Sequence, residues 1–132
     1  MIIYEGGKMK IVKFNKSGGP IIAEVTCGHA QPGAYTLLLW EADKNKIVME
    51  KKGNFINPDD DSYKLPIPNE GNNGRIIDCL STVVITPPIQ DYQIGLQITQ
   101  DGKVLEEEIA SGRSDQFTIS VEMFVKLVAK QM

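Results

Sequence analysis

DYQIGLQITQDGKVLEEEI, residues 91–109, decides the fold class. From Asp91 to Gln100, Ile94, Leu96 and Ile98 fall on one face, while Gln93, Gly95, Gln97 and Thr99 fall on the other. That period of two is the mark of a half-buried strand. Asp101-Gly102 then interrupts the alternation. Both residue types tolerate positive φ, so the dipeptide predicts a two-residue type I′ hairpin turn with Lys103–Ile109 as the returning strand.

The same grammar extends in both directions. Ile21, Ala23, Val25 and Cys27 share one face of a run that ends at the turn-forming GHAQPG, residues 28–33. Ala34 to Glu41, AYTLLLWE, is apolar on both faces, as expected of a central strand covered on both sides or of one that faces a partner. Residues 43–46 read as a hairpin loop leading into Ile47–Lys51. Tyr63–Ile67 reads as a short edge strand, because Pro66 and Pro68 donate nothing to a ladder. Arg75–Thr86 is rich in β-formers and stops at Pro87-Pro88. At the C-terminus every odd position from Phe117 to Leu127 is apolar, a strand pattern. Helical spacing competes there, with Glu122, Lys126 and Lys130 in an i,i+4 row. The β-branched residues within Thr118–Val121 favour a strand, leaving a short C-terminal helix as the alternative for the last ten residues.

Eight or nine short, turn-delimited strands with no repeat and no break in composition predict one domain, residues 1–132, built as an antiparallel β-sandwich. Cys27, Trp40 and Cys79 follow the Cys, Trp, Cys order of immunoglobulin cores, which points to an Ig-like sandwich with Trp40 inside. Ile77 occupies the place where a tyrosine corner would put Tyr, so an antibody-type domain is not expected.

Composition narrows the functions. Of 132 residues, 42% are hydrophobic and 23% charged, and the net charge is −3. A mildly acidic chain lacks the electrostatic footprint for nucleic acid or an anionic membrane surface. No apolar run approaches the ~20 residues of a membrane span. MIIYEGGKMKIV does not have the form of a signal peptide, so the default location is cytoplasmic, and secreted if a leader has been removed. Two cysteines are too few for a disulfide scaffold and read as buried thiols.

The most chemical stretch is NPDDDSY, residues 57–63. Asp59, Asp60 and Asp61, with Tyr63 beside them, are the candidate ligand-binding residues. Calcium needs six to eight oxygens, and consecutive residues point in opposite directions, so the expected form is a solvated Asx-type turn without metal. Cys27, His29 and Cys79 contain ligand and nucleophile types, but both cysteines fall on apolar faces where thiols are inert. Gly6-Gly7-Lys8 and Gly71-Asn72-Asn73-Gly74 lack the features of phosphate loops. The expectation is a non-enzymatic binding or assembly module that recognises a protein partner or itself through its loops, with no catalytic residues and no cofactor. The alternative is a carbohydrate- or calcium-dependent ligand-binding domain using the 57–74 loop, and a zinc or thiol hydrolase ranks last.

Overall fold

The computed structural model describes residues 9–28, 31–43, 45–55, 61–85 and 89–131, together with the backbone of 2–4. The strands are β1 (Ile2–Tyr4), β2 (Lys10–Phe14), β3 (Ile21–Cys27), β4 (Gly33–Trp40), β5 (Ile47–Asn54), β6 (Asp61–Lys64), β7 (Ile76–Val84), β8 (Gln90–Gln100), β9 (Lys103–Ser114) and β10 (Thr118–Ala129). A single 3-10 turn, Asn69–Asn72, is the only helical element among the described residues.

The strands form two packed sheets, an antiparallel-rich β-sandwich. One sheet has the order β1-β10-β7-β4-β5, and β2 also pairs with β10. The other has the order β6-β3-β8-β9. β1 and β2 run parallel to β10 at successive levels, Ile2 beside Ser120 and Lys10 beside Val125, so together they fill one edge. Ten strands form where the sequence predicts eight or nine, because this edge is built from two pieces, β1 and β2.

The 91–109 hairpin forms as the sequence requires, with Asp101 at φ 54° and Gly102 at φ 76°. The turn also anchors its neighbour. Asp101 Oδ1 accepts from the Gly19 amide at 2.9 Å. The buried Gln100 side chain donates to the Asn15 and Gly19 carbonyls at 2.8 and 2.9 Å and accepts from the Asn15 amide at 2.9 Å. The β2–β3 turn is thereby held against the hairpin, and its backbone polar groups are satisfied.

Alternation fills the space between the sheets. Ile21, Ala23, Val25, Leu37, Leu39, Ile77, Cys79, Val83, Ile94, Leu96, Ile98, Ile119, Val121, Met123, Val125 and Leu127 all point inward and are buried. Burying each large aliphatic side chain is worth about 1.5–3 kcal/mol against leaving it in water.

Two expectations are corrected and one alternative is closed. Among the described residues the C-terminal segment forms no helix: β10 pairs with β7 from Thr118 to Lys126 and with β2 from Val125 to Ala129. Hydrogen bonding on both flanks outweighs the i,i+4 charge row. The edge strand is Asp61–Lys64 and not Tyr63–Ile67, because pairing with β3 starts inside the aspartate run and stops before Pro66. Trp40 is outside the core, on the opposite face of β4 from Leu37 and Leu39. No disulfide links Cys27 to Cys79.

Candidate functional site

β6 lies antiparallel on β3, with Asp61 opposite Val25 and Tyr63 opposite Ala23. The period of two turns both side chains toward the facing sheet, where they meet Tyr35 of β4. The Tyr35 hydroxyl donates to Asp61 Oδ2 and contacts the Tyr63 hydroxyl. The Tyr35 ring packs on Phe55 at 5.6 Å between centroids and meets Tyr63 edge-on at 6.2 Å. Gly53 lies opposite Tyr35 on β5, and a Cβ there would run into the phenol ring. Burial, then the bonds to Asp61 and Tyr63, push the Tyr35 phenol far above its ordinary pKa, so it remains a protonated donor.

This cluster ties the two sheets together. Of the four residues singled out in sequence, Asp61 and Tyr63 come together, and Asp59 and Asp60 lie outside the described residues. Asp61 is a strand residue bonded to a buried phenol and not part of a solvated turn. Tyr35, which is not among the residues singled out in sequence, is 3% exposed. Its place one alternation step from Leu37 and two from Leu39 was the signal that it points inward.

The second candidate is the solvent face of the six-stranded sheet. Asp78 lies at its centre, directly beside Leu38 of β4 and Phe124 of β10. The Trp40 indole donates from Nε1 to Asp78 Oδ2 at 3.2 Å. One step along, Leu80 stands between Thr36 and Glu122, and one step the other way Ile76 stands between Trp40 and Lys126. Leu80 is 38% exposed. Burial among these apolar neighbours raises the Asp78 pKa against the opposing Trp40 bond. It also raises that of Glu122, with the Asp78 charge as a second cause. At the margin of the face, Arg75 holds Glu41 through two contacts of 3.1 Å. It also donates to Asn72 Oδ1 at 3.0 Å.

The solvent face of the four-stranded sheet is different. It presents Glu24, Thr26, Ser62, Lys64, Gln93, Gln97, Thr99 and Glu107, with Ile22, Val104 and Ile109 as scattered apolar positions. Its polar groups pair across strands: Ser62 Oγ donates to Glu24 Oε2 and Gln97 Nε2 to Glu107 Oε2, each at 2.8 Å.

Cys79 is 2% exposed, and burial pushes its thiol up to about 12, away from the ionised form a nucleophile or ligand needs. Asp78 points to the opposite face of the same strand, and His29 lies outside the described residues. Among the described residues, no three His, Cys, Asp or Glu side chains converge as metal ligands would. No described helix is long and apolar enough to cross a membrane.

No family model matches the chain, and no curated protein or solved structure is significantly similar to it.

Proposed function

We propose that the protein is a non-enzymatic binding module whose contact surface is the solvent face of the six-stranded sheet. The observation that carries this reading is the contrast between the two outer faces. One is a hydrogen-bonded polar ladder of the kind water covers well. The other sets Leu38, Trp40, Ile76, Leu80 and Phe124 side by side around two carboxylates. A contiguous apolar surface rimmed by polar groups marks interaction sites on β-proteins, and aromatic residues are enriched at the centres of such contacts. β4 is apolar on both faces because each face has something to cover it: the core on one side, the partner on the other.

Recognition by the 57–74 loop has less support. Asp61 and Tyr63 already serve Tyr35, which leaves them poorly placed to serve a ligand.

The test is a photo-activated cross-linking amino acid placed at position 80, in the middle of the apolar face, or at position 97, in the middle of the polar one. Adducts from position 80 and none from position 97 are expected. Equal yields from the two positions, or adducts from 97 alone, would overturn the assignment.

A further inference from the structure

We propose that the molecule covering this face is a second copy of the chain, packed sheet to sheet about a two-fold axis that runs across the strands. The inference rests on the contact-face reading above and adds the identity of the partner.

The charges on the face are segregated along the strand direction. Glu122 precedes Phe124 by two residues on β10, and Asp78 lies beside Phe124. Lys126 follows Phe124 by two residues, and beyond it Lys13 stands beside Val128 on the same face. Strands advance about 3.3 Å per residue, so Glu122 and Lys126 are about 13 Å apart along β10. None of these four side chains enters an ion pair among the described residues, whereas the other charged pair on the face, Glu50 and Lys52, is bridged at 3.8 Å. The carboxylates are set among apolar groups, where an unneutralised charge is costly. The lysines end the same face beside an open depression of about 510 Å³ lined by Lys13, Val128, Ala129, Lys130 and Gln131.

A two-fold axis in the plane of contact and across the strands reverses strand direction between copies. With the axis between Phe124 and Lys126, the basic end of each copy lies over the acidic part of the other, twice. Leu38, Trp40, Ile76 and Phe124 fall near the axis and bury one another. A self-complementary patch is the requirement of an isologous dimer. Any other partner would have to bring a cation spaced to match, whereas this chain carries its own.

The experiment is sedimentation or light scattering on the purified chain over a concentration series. The parent is expected to approach twice 14.6 kDa. Glu122→Lys and Lys13→Glu should each weaken dimerisation by roughly tenfold, since with this axis Glu122 of one copy lies level with Lys13 of the other and like charges then face one another. The double variant restores the pairing in reversed sense and should recover dimerisation. Unchanged melting temperatures keep folding separate from association. A parent that is monomeric throughout, or a double variant no better than the singles, overturns the proposal. Cross-linking from position 80 separates the two levels. A covalent dimer from purified protein supports both. Adducts formed only with other molecules leave the contact face standing and refute the second copy. No adduct in either setting refutes both.

Discussion

Removing one oxygen at Tyr35 tests how the two sheets are tied. In Tyr35→Phe the ring keeps its packing on Phe55, and Gly53 still leaves room for it. Lost are the donor to Asp61 Oδ2 and the contact with the Tyr63 hydroxyl. A hydrogen bond to a charged acceptor nets about 1.5–3 kcal/mol and a neutral one about 1 kcal/mol. Asp61 and Tyr63 are half-buried, so water reaches them once they are released and recovers part of that. Tyr35 itself is 3% exposed, and the variant no longer buries a hydroxyl. The expected net cost is therefore about 1–2 kcal/mol. For a chain of this size that lowers the Tm by about 4–8 °C. Thermal and urea unfolding followed by circular dichroism at neutral pH measure it. Asp61→Asn should cost less, since an amide oxygen still accepts. Tyr35→Phe with Asp61→Asn should cost little more than Tyr35→Phe alone, because the two act through one bond. Unchanged stability in Tyr35→Phe, or full additivity in the double variant, would refute the tie.

Adjacent residues of β4 give a second contrast: in dilute protein Leu39→Ala should cost about 2–5 kcal/mol by opening a core cavity. Leu38→Ala, on the solvent face, should cost under about 1 kcal/mol by the same unfolding assay. Asp78→Asn keeps an acceptor for Trp40 and removes a charge whose burial is unfavourable. A raised folded-state pKa contributes stability that is present below the ordinary carboxylate value of about 4 and is lost as pH rises above it. Melting curves of dilute protein should thus find the variant gaining on the parent between pH 4 and pH 7, and an equal difference at both pH values would sink the assignment. In a Cys27→Ser background, thiol labelling of Cys79 should be slow in native protein and fast in denaturant, with fast native labelling contradicting its burial.

The hairpin at Asp101-Gly102 was legible because it is local: turn chemistry and alternation sit within a few residues of each other. β10 was legible for a related reason, since β-branched residues and strict alternation agreed, although a helical charge row competed. What sequence could not supply was the identity of neighbours. Trp40 alternates with Leu37 and Leu39, but which face of a doubly apolar strand meets the core depends on the strands beside it. Asp61 looked like one of three equivalent aspartates until β6 was paired with β3, which points it at Tyr35. Asp78 and Glu122 lie 44 residues apart in the chain and become neighbours only through the β7–β10 register. No spacing rule exposes such a pair.

Trp40 is the only tryptophan, and it lies in the proposed contact surface. Its fluorescence therefore reports on that surface without interference. Acrylamide quenching measured across a dilution series, alongside mass by light scattering, asks directly whether assembly covers the face. The account predicts that the quenching constant falls as the parent assembles, and that in Lys13→Glu the fall comes only at roughly tenfold higher concentration. Assembled protein that quenches as readily as dilute protein would contradict it, placing the contact elsewhere on the sandwich.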